Sequence, residues 1–136
     1  MRRSQSSLVR AELTLTATPT APRVARHWVM QTVAEAGVHG VSNQVIELLT
    51  GEVVANAVVH GPADGEIFLS LEMSPDSVRV AVSDECTQRP HVRHPALTDP
   101  DGRGMVLVGA LASAWGVDRR GPGGKTVWFA VGPDLP

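Results

Sequence analysis

The chain has 136 residues, 43 % of them hydrophobic, and 12 Lys and Arg against 14 Asp and Glu give a net charge of -2. That length suits one domain with a core of its own, and near-neutrality argues against the strong positive field by which many proteins hold nucleic acid or anionic lipid. Cys86 is the single cysteine, so no intrachain disulfide forms and a reducing compartment is expected. No apolar run is long enough to span a bilayer, and the first ten residues lack the apolar segment of a secretory signal. The expectation is a cytoplasmic protein with no direct contact to nucleic acid or membrane.

Residues 1–10 (MRRSQSSLVR) are expected to form a flexible basic arm, and residues 11–132 the domain itself. Ala11 to Ala17 alternates apolar and polar side chains, as a half-buried strand does. Pro22 suits the first turn of a helix, and Ala25, Trp28, Val29, Thr32 and Ala36 continue at helical spacing until Gly37 stops them. Ser42 or Asn43 is placed to cap a second helix, whose apolar side carries Val45, Leu48, Leu49, Val53 and Ala57 and which ends at Gly61-Pro62. Glu66 to Met73 and Ser77 to Asp84 are strand-like around a Ser74-Pro75-Asp76 turn. Residues 85–102 contain three prolines and no sustained apolar period, so they form a long loop of the kind that often carries function. Met105 to Trp115 is expected as a third helix, then Val117 to Arg120 and Thr126 to Val131 as a final hairpin. Sequential strands joined by turns favour antiparallel pairing. The fold class is therefore α+β: a two-layer sandwich with a mixed, mainly antiparallel sheet covered on one face by three helices.

The second helix carries the first chemical signal. At about 100° per residue, Glu52, Asn56 and His60 project within roughly 80° of one another, and Val45, Leu48 and Leu49 fall in the same sector, which puts Glu52 and Asn56 in the middle of the face expected to be buried. A carboxylate is rarely buried without a partner. A ligand or metal would supply one, and so would an arginine ion pair with Asn56 bonded to backbone. Glu and Asn oxygens suit a hard cation such as Mg²⁺ beside phosphates, and Glu52 suits proton acceptance from an attacking hydroxyl. His60, near the helix end, fits a dipole-stabilising or capping role.

Three further features are weak singly. Asp84, at a strand end beside the loop, is placed to accept from an exocyclic amine or to serve as a turn residue. Asp101-Gly102-Arg103-Gly104 precedes the third helix, where free amides favour an anion and Arg103 adds charge; a simple capped turn looks the same. Gly123-Gly124-Lys125-Thr126 is not a P-loop, since Arg119 stands where the earlier glycine belongs and a strand follows. Thr126 is expected to direct its hydroxyl at a ligand or to act as an ordinary strand residue. Cys86, His91 and His94 lack a full zinc ligand set, and the three tryptophans are expected in or at the edge of the core.

The order of these pieces is more specific than any one of them. Residues 52–61 (EVVANAVVHG) resemble the N-box of the GHKL, or Bergerat-fold, ATPase superfamily. Val82-Ser83-Asp84 resembles its adenine-binding aspartate box, residues 102–108 its second glycine box, and residues 124–129 its final strand box. The likeness spans about residues 10–132 and is narrowest to the RsbW-like anti-sigma-factor serine kinases abundant in actinobacteria. It implies ATP and Mg²⁺ as cofactors, with Asn56 as the Mg²⁺ ligand and Glu52 as the catalytic base. It further implies Asp84 on the adenine amine aided by Thr126, phosphates held by Gly102, Arg103, Gly104 and Met105, and residues 85–101 as an ATP lid. The implied reaction is phosphorylation of a STAS-domain anti-anti-sigma partner, exchanged for a sigma factor; a homodimer is compatible with it. Two positions depart from the pattern: Cys86 stands where a glycine is usual, and Val59 where many N-boxes carry a basic residue. They motivate an alternative, a non-catalytic module that sequesters a partner with weak or lost nucleotide binding.

Overall fold

The computed structural model describes residues 8–85, 100–119 and 124–132, apart from the side chains of residues 100–104. Chain order is β1 (Val9–Thr16), α1 (Ala21–Glu35), α2 (Gly40–His60), β2 (Glu66–Ser74), β3 (Ser77–Asp84), α3 (Pro100–Leu111), β4 (Ala114–Arg119) and β5 (Lys125–Val131). The strands form one sheet in the order β1-β2-β3-β5-β4. Every described pair is antiparallel, so the expected admixture of parallel pairing is not seen.

The period-two alternation decides which face of the sheet is covered. Ile67, Leu69, Leu71 and Met73 of β2, Val78, Val80 and Val82 of β3, and Val127, Phe129 and Val131 of β5 are buried. Against this face lie Ala21, Ala25, Val29 and Val33 of α1 and Ile46, Leu49, Val53, Val54 and Ala57 of α2, with Val108 of α3. Among the described residues, no helix covers the opposite face. There Arg79 lies 4.3 Å from the Trp128 ring centroid, Arg10 pairs with Glu72 at 3.2 Å, and Trp128 lies against the Gly116 backbone. Trp28 packs at the core edge as expected, whereas Trp115 is 44 % exposed on β4.

The helix ends follow local chemistry. Gly37 at φ 98° lets its N–H reach the Ala34 carbonyl and the Val38 N–H reach the Val33 carbonyl, a Schellman stop that closes α1. Ser42 and Asn43 do not cap α2, because the helix already begins at Gly40 behind His39. Asn43 instead donates to the carbonyls of Met30 and Val38, at 3.2 and 3.0 Å, and so ties α1 and its exit turn to α2. α3 also starts earlier than expected, at Pro100, where the fixed proline φ suits a first helical turn. It ends at Leu111, because Ser113 gives both its N–H and its hydroxyl to the Ala130 carbonyl and draws the chain into β4.

Candidate functional site

The buried arc of α2 runs through Ile46, Leu49, Thr50, Gly51, Val53, Val54 and Ala57. Leu48, assigned to the apolar side by spacing, is 40 % exposed, and Glu52 and Asn56 are half-buried. The two polar groups therefore border the packed arc instead of lying at its centre. No ligand is needed to offset a buried charge at Glu52, and both side chains keep access to solvent. Gly51 is in contact with α1: a Cβ there would stand 2.6 Å from Arg26 Cδ. Helical geometry turns Glu52 about 100° and Asn56 about 140° away from that contact, so this flank of α2 faces away from α1. α3 also packs on α2.

α2 ends against the tip of β3. A Cβ on Gly61 would lie 3.9 Å from Asp84 Cβ and 2.8 Å from the Ala57 carbonyl oxygen. Asn56 is five residues before Gly61, which is roughly 7.5 Å of helical rise. Asp84 continues the inward row of Val78, Val80 and Val82 and is only 6 % exposed. Its cross-strand neighbour is Lys125, whose Nζ lies 3.5 Å from Asp84 Oδ2. Gly124, at φ +129°, crosses so close that a Cβ would collide with the Asp84 carbonyl oxygen. Next to Asp84, Glu85 accepts from the Glu66 N–H at 2.7 Å and fixes the end of β3 to the start of β2.

Thr126 does not stand beside the Asp84 carboxylate. The pleat turns it to the open face, where its Oγ1 lies 2.8 Å from Ser83 Oγ, one residue before Asp84. Lys125 is the residue that motif reading missed. Counting back by two from the buried Phe129 and Val127 places it inward, so the signal was present as strand parity.

The remaining expected residues are divided. His60 is the exposed last residue of α2. Gly102, Arg103 and Gly104 lie inside the start of α3, not ahead of it. With Pro100 as the first helical residue and itself without an N–H, the open amides within the helix are those of Asp101 and Gly102. Met105 lies inside the helix and packs against the core. Cys86, His91, His94 and residues 86–99 of the expected lid fall outside the described residues, while Pro100 and Asp101 at its end belong to α3. Among the described residues, no cluster of His, Cys, Asp and Glu is arranged to hold a metal ion by itself.

The candidate residues are thus a carboxylate and an amide on an accessible helix flank, a deep carboxylate at a strand end that meets the end of the same helix, and the open amides at the start of a helix packed on it. Sequence comparison gives the family: the "Histidine kinase-like ATPase domain" family matches residues 15–131. The chain belongs to that family.

This histidine kinase-like ATPase domain is also similar to a solved structure described as the RsbU and RsbW domains of Rv1364c from Mycobacterium tuberculosis. The likeness has a TM-score of 0.69 and 26 % identity, and covers 90 % of this chain and 32 % of that one. The chain is thus a GHKL ATPase domain of the RsbW-like type, on a Bergerat fold, and it spans about a third of the length of that solved chain. Comparison with curated proteins gives no match. No helix among the described residues is long and apolar enough to cross a membrane.

Proposed function

We propose that this ATPase-family domain binds ATP with Mg²⁺ and phosphorylates a serine or threonine of a STAS-domain anti-anti-sigma partner. In the same proposal it exchanges that partner for a sigma factor, acting in the cytoplasm to regulate transcription. The observation that carries the reading is the accessible Glu52–Asn56 flank, directed away from α1, on a helix whose end at Gly61 meets the buried Asp84.

The residues fit the cofactor chemically. An amide oxygen on Asn56 is a hard ligand suited to a Mg²⁺ ion that keeps several waters and shares phosphate oxygens. Asp84 offers a carboxylate acceptor to an amino group from a low-dielectric setting, where a hydrogen bond counts for more. The first-turn amides of α3 offer donors to phosphate. When bound, Mg-ATP supplies the transferable phosphoryl group. In this proposal Glu52, half-buried but accessible, accepts the proton of the attacking serine or threonine hydroxyl as the new O–P bond forms and the bond to ADP breaks. Thr126 acts from behind: its contact to Ser83 holds β3 and β5 in register beside Asp84.

Incubation with labelled ATP, Mg²⁺ and STAS-domain proteins tests this. Transfer to one partner is expected, with Glu52→Ala losing about 10²-fold or more of the rate while retaining nucleotide. Equal transfer by Glu52→Ala, or none by the wild type to any partner, would count against kinase action. The Lys125–Asp84 pair favours a second reading, a module that sequesters its partner with weak nucleotide binding. That reading expects partner capture unchanged by ATP.

A further inference from the structure

We propose that Lys125 sets the affinity and base selectivity of the nucleotide site by standing in for the amino group of the base. The inference rests on Asp84 being the base acceptor. The strand register places Lys125 directly across from Asp84, and the pleat turns both toward the helix layer. The ammonium lies 3.5 Å from Asp84 Oδ2, with the two side chains 19 % and 3 % exposed.

Asp84 is only 6 % exposed. Gly61, just past α2, lies near its Cβ, and Gly124, just before β5, passes close against its backbone carbonyl. A base amino group brings a neutral donor to this carboxylate. Lys125 already holds a full positive charge beside it as an ion pair, and opposite charges attract more strongly in a partly buried setting than in water. An incoming amine must therefore share or displace the ammonium. The flexible four-carbon stem allows the lysine to withdraw, but withdrawal separates an ion pair whose carboxylate is buried, and this opposes binding. The contact that ought to distinguish a 6-amino purine is blunted, and nucleotide affinity is held down.

Calorimetric titration with two Mg²⁺-loaded nucleotides tests this: ATP, and purine riboside triphosphate, which lacks the 6-amino group. Lys125→Thr is the main variant, because threonine suits a strand. It is expected to bind ATP about tenfold tighter than wild type and to leave the amino-free analogue nearly unchanged, so that the preference for ATP grows. In an Asp84→Ala background the same substitution is expected to give no gain, since the two residues act as a coupled pair. Lys125→Gln, which removes the charge and keeps most of the length, carries the same direction should the threonine variant fail to fold. Wild-type binding of ATP with unchanged or weaker binding by the Lys125 variants overturns this inference and leaves the ATP site standing. An equal gain for both nucleotides also overturns it, because the ammonium would then be blocking space and not the amino contact. If neither wild type nor folded variants bind either nucleotide, the ATP-site reading and this inference fall together.

Discussion

Lys125 and Thr126 are neighbours in the chain, yet the pleat sends them to opposite faces of the sheet. Lys125 pairs with the buried Asp84, and Thr126 meets Ser83 on the open side. The two residues should therefore respond differently to substitution. Thr126→Val removes one partner of a half-buried hydroxyl pair, and a loss of about 1 kcal/mol is expected from urea unfolding. ATP affinity is expected to move far less in that variant than in Asp84→Ala, which titration of both proteins would show. The motif around residues 124–129 identified the strand, but the motif alone did not say which of its first two side chains faces the site.

At the scale of elements, α2 holds the polar flank in place because it is fixed on its other side. Gly51 lets Arg26 of α1 lie against the helix backbone, and Asn43 bonds across the α1–α2 connection. Thr50 returns its buried hydroxyl to the Ile46 carbonyl at 2.7 Å, so the core face carries this polar group satisfied. Asn43→Ala removes both part-buried bonds, to the Met30 and Val38 carbonyls, and is expected to cost about 1–3 kcal/mol. Chemical denaturation should show that loss, and a stability unchanged within error would mean the connection is held by packing alone. The helix pattern was legible in the sequence from Pro22, Gly37 and Gly61. The rotation of α2 was not: its residues are apolar on most sides, so spacing placed Leu48 in the buried face, and only packing against α1 and the sheet turned it outward.

For the whole molecule, the proposed ligand ties together parts far apart in sequence: α2, the end of β3, and the start of α3. A ligand that binds only this assembled state stabilises it by mass action, by about 2.7 kcal/mol at a hundred times its Kd. Mg-ATP is therefore expected to raise the thermal midpoint, chelation of Mg²⁺ to remove most of the rise, and Asn56→Ala to lose the Mg²⁺-dependent part. A midpoint that ignores millimolar Mg-ATP would favour the sequestering module.

Much about this protein was set by its sequence alone. Alternation and helix stops specified an α+β sandwich, because local periodicity follows directly from backbone geometry. The order of the Glu52–Gly61, Val82–Asp84, Gly102–Val108 and Gly124–Phe129 segments pointed to the ATPase family that comparison then matched over residues 15–131. Tertiary structure decided the rest. It moved Glu52 and Asn56 from the centre of a buried face to its rim, drew α3 back to Pro100, and set Lys125 against Asp84. Those outcomes depend on which neighbours close around each side chain, and that is a property of the packed sheet and helices together.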